Sequence, residues 1–341
     1  MAERASLKRW NRNVNQAVAM SAILFLASCG SDSDPPAVTG PSSVTAPIIW
    51  QTGALNSDLS ALALAEDGAP YFLVAYEDGG VQLMNFDGAP LSDMGPNRTA
   101  SVGSGATVRV EDSSLVVYPG ASRNNDGLVV FVYGEGMRAP FEVALTSDFD
   151  GSIEGVCAGA STENGTALDI AYWTNLDSST LVTGKVKTNG ADLVYEEADR
   201  FSYEKYITSC DIHDSAVVAG GGFGLMIHDG GNEPTFVDIT GVPTELAAFR
   251  TDDEVQVAMN YSGGQTYIAN NHGAFSRVEF RAGLSSEAPE TAVHLEMSDI
   301  GSEASFPHGF LAVESRKERG DTQLIFVDRA ELFAQLTQAG S

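Results

Sequence analysis

Six copies of one short pattern, spread over about 290 residues without a convincing long helix, predict an all-β chain folded as a six-bladed β-propeller. Each copy is a glycine or polar turn, an alternating apolar strand and a second turn. They fall at Tyr76–Gly88, Ala121–Gly136, Thr174–Gly190, Gly220–Gly231, Tyr261–Gly273 and Arg316–Asp328. With Leu83, Val130, Val182, Leu225, Ile268 and Ile325 as strand centres, the intervals are 47, 52, 43, 43 and 57 residues, which suits one four-stranded blade per repeat. A β-sandwich seldom repeats so evenly over such a length. Only Ala330 to Leu336, at the end, reads as helical.

The chain opens on Arg4, Lys8, Arg9 and Arg12, then an apolar run from Ala17 to Leu26 that ends in Leu26-Ala27-Ser28-Cys29. This is the pattern of a signal peptide with a lipoprotein cleavage box, where small residues fit the peptidase and the Cys29 thiol takes the lipid. The run falls well below the roughly 20 apolar residues of a membrane span. Residues 1–28 are therefore expected to be removed and Cys29 to carry the anchor. From Gly30 the sequence is polar and Pro-rich, too poor in apolar residues to bury a core, so 29–45 is expected to be a flexible tether and 46–337 the propeller domain. Glycine directly after the cysteine, where aspartate often means inner-membrane retention, points to the outer membrane, facing the periplasm or the exterior.

The full chain carries 19 Lys and Arg against 46 Asp and Glu, a net charge of −27, which becomes −30 without residues 1–28. Such a surface offers no electrostatic route to nucleic acid.

One stretch carries more information than the rest. Thr208 to His228 reads as one strand, a turn and a second strand, and Gly220-Gly221-Gly222 marks a place where another backbone comes close. In Cys210, Asp214, the apolar Ala216 to Ala219, Gly220, Gly224, Leu225 and Met226 this stretch resembles the bacterial β-propeller phytases, which hydrolyse phytate with bound calcium. The resemblance extends over 46–337. Ala46-Pro47-Ile48-Ile49-Trp50 is similar to the family's opening, Tyr76-Glu77-Asp78-Gly79-Gly80 with Phe86-Asp87-Gly88 to its first blade, and Ala121-Ser122-Arg123-Asn124-Asn125 to its Ser-Asn-Arg loop. Phe306 to Glu314 and Phe326 to Leu336 resemble its closing strand and terminal helix.

The family's acids are mostly missing. Ala46 stands where the resemblance places a calcium-binding aspartate, Thr208 where it places an active-site glutamate, and Gly221 and Gly222 where it places paired carboxylates. Between Pro96 and Val110 no acid is present. Asp238-Ile239-Thr240-Gly241-Val242 matches a calcium-binding segment with threonine in the key place, and Glu245 to Phe249 matches it as a shifted alternative. The resemblance implies that calcium shields substrate phosphates and activates water, so few of the required oxygens remain. Arg123, at the position of a phosphate-binding arginine, could clamp a phosphate with its planar fork, or simply sit solvated in its loop. The expectation is a phytase-like lipoprotein with weak or lost phosphatase activity, serving as a binding or scaffold module. The alternative is an active calcium-dependent 3-phytase acting on phytate or another phosphate ester.

The remaining candidates are weaker. Asp148, Asp150 and Glu154 supply carboxylates close enough in sequence for a hard cation, yet only the start of a ligand loop is present and a polar inter-blade turn accounts for them. With Asp238 and Glu245 they are the candidate calcium ligands. Gly103-Ser104-Gly105 reads as a turn, since no helix follows to make a phosphate loop. His213, His228, His272, His294 and His308 lack metal-ligand spacing and are expected in surface or turn positions. Cys157 and Cys210, about one blade apart, should occupy similar places in neighbouring blades. Inner strands are expected to keep their Cα atoms beyond the roughly 7 Å disulfide limit, which leaves two buried thiols.

Overall fold

The computed structural model describes residues 42–65, 71–95, 99–122, 127–145, 151–229, 233–252, 254–284, 286–300, 306–318 and 320–339. The expected signal peptide and Cys29 lie outside them, as do Arg123, Asp148 and Asp150.

Strands pair into six sheets, one per blade. Blade one has three strands, Leu59–Leu64, Tyr71–Tyr76 and Val81–Asn85. Where its fourth strand was expected, the chain only touches the edge through isolated bridges from Pro90 to Met84 and Gly95 to Val81; a proline has no N–H to give to a ladder. In blade two the innermost position is split between Thr99–Val102 and Ala106–Val110, both paired with Ser113–Ser122, followed by Leu128–Gly134 and Phe141–Ala144. Blade three contains Ile153–Thr162, Ala167–Thr174, Thr180–Asn189 and Asp192–Ser202. Blade four contains Ile207–His213, Ala216–Gly221, Gly224–Asp229 and Thr235–Val237.

Blade five, Pro243–Arg250, Val255–Tyr261, Gln265–Asn270 and Phe275–Arg281, gains a fifth strand from the start of the described chain. Ser42–Pro47 runs parallel to Phe275–Arg281. Residues 42–45, expected as the end of the tether, therefore belong to the sheet: Val44 and Ala46 are buried, and Gln335 of the terminal helix bonds both the N–H and the C=O of Thr45. Blade six takes its outer strand from the same segment, Trp50–Gln51 pairing with Gln323–Asp328 beyond Phe310–Arg316 and Thr291–Ser298. Joining the first and last parts of the chain in one sheet closes the ring, which leaves no gap between blades six and one. The helix Arg329–Ala339 follows, where helical pattern was expected.

The six strand centres read from the sequence all fall in the third strand of a blade. In five of the six blades that strand is paired along both sides, and in blade one its outer side meets only the bridges to Pro90 and Gly95.

The core follows from the architecture. Each buried apolar cluster joins two neighbouring blades: Tyr118 and Phe131 meet Leu73 and Leu83 between blades two and one, and Val257 and Met259 meet Leu225 and Ile227 between five and four. Between blades six and one the filling is aromatic. Phe72, Phe86, Phe310 and Phe326 pack with ring centroids 5.3 to 6.2 Å apart, and Phe306 of the closing motif joins them.

Candidate functional site

The first strands of the six sheets line the propeller axis and enclose a cavity of about 290 Å³. Glu154, Thr208 and Ser60 are each the second residue of their strand, so the cavity lies toward the face where the inner strands begin. Four carboxyl groups line it: Glu154 from blade three, Asp211 from blade four, Glu245 from blade five and Glu296 from blade six, together with His294. Among the described residues no lysine or arginine does.

Most of these groups are tied into the protein. Asp211 Oδ1 accepts from the amide of Ile212 (2.8 Å) and Oδ2 from the amide of Ala248 (2.6 Å), which ties blade four to blade five. Burial pushes this carboxyl up to about 7; the two amides pull the other way without prevailing, and Glu245 adds to the rise. Glu296 accepts from Ser104 Oγ at 3.4 Å, a contact from blade six to blade two past the inner strand of blade one.

His294 sits between two acceptors. Nδ1 is 3.3 Å from Glu245 Oε1 and Nε2 is 3.2 Å from the carbonyl of Leu59, so the doubly protonated ring satisfies both. Burial disfavours that charge, but Glu245, and Glu314 behind the ring at 3.9 Å, outweigh it and raise the imidazole above its ordinary range. Glu314 is fully buried. Its Oε1 accepts from the amide of Leu59 (3.0 Å) and from Arg316 Nε (2.8 Å), and Arg316 reaches on to the Leu59 carbonyl and to Glu77 (2.8 Å). The seam between blades six and one is thus stitched by charge around Leu59, and a buried carboxylate is held there because it is paired.

The structure places several of the sequence candidates. Glu154 and Glu245 share the cavity, but Asp238 is exposed beyond the outer strand of blade four and is not brought to them. Among the described residues, no three His, Cys, Asp or Glu side chains are grouped so as to hold a metal ion. Ala46, in the outermost strand of blade five, is buried in the apolar cluster that also holds Leu332, Phe333 and Leu336 of the terminal helix. Thr208 lines the cavity and donates to the carbonyl of Pro243 (2.6 Å). Gly221 faces the carbonyl oxygen of Tyr206, into which any Cβ would run, so the expected close backbone approach is there.

Others are corrected. Thr208 to His228, read as one strand, a turn and a second strand, spans three strands of blade four, and its first residues belong to the inner strand Ile207–His213, which lines the axial cavity. Gly103-Ser104-Gly105 is no simple turn but the break in the inner strand of blade two, where a Cβ at Gly103 would meet the Ala158 nitrogen at 2.8 Å. His294 is a cavity residue, not a surface one. Cys157 and Cys210 form a disulfide with Cα atoms 5.7 Å apart, because inner strands converge toward the axis more closely than the expected separation. Sequence reasoning missed Asp211, His294, Glu296 and Glu314, whose one signal is a charged residue interrupting an otherwise apolar inner or second strand.

No family model matches the chain, and no curated protein matches it. Among solved structures it is similar to two crystal structures of BBS1N in complex with ARL6DN. The one soaked with mercury gives a TM-score of 0.45 at 9% identity, over 76% of this chain and 75% of that one. The one soaked with lead gives 0.45 at 10% identity, over 76% of each.

Proposed function

We propose that the chain is a phytase-like propeller that binds through its axial cavity and has weak or no phosphohydrolase activity, held at the bacterial cell envelope by a lipid on Cys29. The observation that carries this reading is the engagement of the cavity's carboxyl groups: Asp211 with two amides, Glu245 with His294 and Glu296 with Ser104. Calcium needs six to eight oxygens, and groups already bonded within the wall are poorly placed to supply them. Phosphate is served no better, since His294 is the one cationic group among the described lining residues.

The positions where acids would be needed support the same reading. Thr208 is committed to a neighbouring carbonyl, Ala46 is buried away from the axis, and Gly221 has no room for a side chain. The test is release of inorganic phosphate from calcium phytate, run beside an active family enzyme. We expect turnover at least 100-fold below that enzyme, the usual order of loss when one electrostatic stabiliser is removed, about 100- to 1,000-fold. Turnover within about tenfold would replace this reading with the calcium-dependent 3-phytase.

A further inference from the structure

We propose that the outer edge of blade three is a docking strand for an extended, basic segment of another protein, which adds to the sheet as a fifth strand. The site lies apart from the axial cavity and shares no lining residue with it.

The blades are finished unequally. The outermost strand has four residues in blade two, three in blade four and two in blade six, but blade three ends on Asp192–Ser202, 11 residues long and exposed or half-buried throughout. Among the described residues that strand pairs only with Thr180–Asn189. A long edge is a template for another strand, and proteins ordinarily shorten, cover or charge it. Blade five shows that this fold accepts such an addition: its fourth strand, Phe275–Arg281, carries the extended Ser42–Pro47 as a fifth.

The register gives the direction of the backbone groups. The Thr188 amide donates to the Thr166 carbonyl (3.0 Å), on the side away from the outer strand, so Thr188 and its partner Leu193 do not bond across the ladder and Leu193 turns its N–H and C=O outward. With a period of two, Glu197, paired with Gly184, does the same. Beyond Glu197 the edge is guarded. Ala198 is bulged out of register, and the Arg200 amide is taken by the Asp199 carboxylate (2.8 Å). The half from Asp192 to Glu197 carries neither device.

Charge and side-chain alternation set the occupant. The strand holds Asp192, Glu196, Glu197 and Asp199 against Arg200, on a chain of net charge −27, so a second copy pairing edge to edge would bring like charges together. Lys187 and Arg200 neutralise Glu196 and Glu197 only through surface pairs (2.6 and 2.7 Å), which are weak enough for a competing cation to replace. Asp192, Val194 and Glu196 lie on one face of the strand, and Leu193 lies on the other, against the apolar cluster of blades two and three. The segment that fits therefore alternates, with basic residues beside the first face and β-branched apolar ones beside the second.

The experiment is amide hydrogen exchange, read by NMR on the purified protein with and without a short synthetic peptide of alternating valine and lysine. Exchange at Leu193 and Glu197 should slow about tenfold at saturation, the order of one hydrogen bond, while Val194 and Glu196, whose amides face Thr180–Asn189, stay unchanged. Leu193→Pro deletes an outward N–H and spares the ladder, so the variant should fold and lose the effect. The same peptide N-methylated at every second residue, along its bonding edge, should give the wild type no protection, which keeps the test decisive if the variant does not fold. No slowing at Leu193 and Glu197, uniform slowing along the strand, or equal protection by the N-methylated peptide or by one of alternating valine and glutamate would overturn the proposal. Protection that appears without peptide as protein concentration rises would also overturn it, by naming a second copy as the occupant.

Discussion

Cys157 and Cys210 are joined across the axial wall, with Cα atoms 5.7 Å apart on the inner strands of blades three and four. Each strand belongs to a different sheet, so the bond is a covalent tie between blades that also meet through side-chain packing and the hydrogen bond from the Ile207 amide to the Ser178 carbonyl (2.7 Å).

The two cysteines are 53 residues apart, and closing a loop of that length in the unfolded chain is worth about 4 kcal/mol by loop entropy. We expect Cys157→Ala to lose about 2–4 kcal/mol in urea unfolding, with the same loss on reducing the wild type and no further loss on reducing the variant. An unchanged midpoint after complete reduction would show that the bond adds nothing to the fold.

How much of this was legible in the sequence depended on which neighbours decide each residue's environment. Leu83, Val130, Val182, Leu225, Ile268 and Ile325 reveal the blades because the third strand pairs with the second, its neighbour in sequence, and its alternation survives in a short window. Ser42–Pro47 did not read as a strand because its partner, Phe275–Arg281, is more than 200 residues away and its composition is that of a linker. The axial site was the least legible. Asp211 and His294 lie in strands where polar residues face the channel and apolar ones face neighbouring blades, so their meaning depends on a ring that only closes in three dimensions.

Gly221, where the phytase resemblance would place a carboxylate, leaves no room for one. A Cβ there would strike the Tyr206 carbonyl oxygen, which is backbone and cannot swing aside. We expect Gly221→Ala to destabilise the protein by about 1–3 kcal/mol and Gly221→Glu by more, without any gain in phosphate release. A stable Gly221→Glu protein that hydrolyses calcium phytate would refute this.

Lipidation is checked by labelled palmitate in cells. Incorporation should vanish in Cys29→Ala. Label that persists in the variant, or never enters the wild type, would rule out the anchor.

Asp211 gives a pH dependence of unusual sign for a carboxylate. Its folded pKa, about 7, lies above the ordinary value near 4, so the folded state binds more protons than the unfolded state between these values, and stability falls as pH rises through that window. Asparagine does not titrate, though it gives up one acceptor for the amides of Ile212 and Ala248. Asp211→Asn should therefore be less stable than wild type near pH 4, with the deficit shrinking by pH 8. A deficit that stays constant or grows would show that the carboxyl remains ionised in the fold.

His294 tests the seam between blades six and one, where its ring lies between Glu245 and the Leu59 carbonyl, with Glu314 behind it and Arg316 beyond. Its folded pKa is raised, so its contribution is complete below the unfolded value of about 6.5 and is lost as pH rises through the higher folded value. His213, whose pKa burial lowers, acts in the opposite sense: it costs stability as pH falls below about 6.5, and it does so in wild type and variant alike. Comparing variant with wild type therefore isolates His294. Glutamine keeps one donor but loses the charge, and hydrogen bonds to charged groups are worth about 1.5–3 kcal/mol, reduced here because Glu245 is partly solvated. We expect His294→Gln to be about 1–2 kcal/mol less stable than wild type at pH 6 and close to it at pH 9, read as the difference in urea midpoints. A deficit equal at both pH values would mean that the ring acts by packing alone and that the Glu245 contact carries no charge.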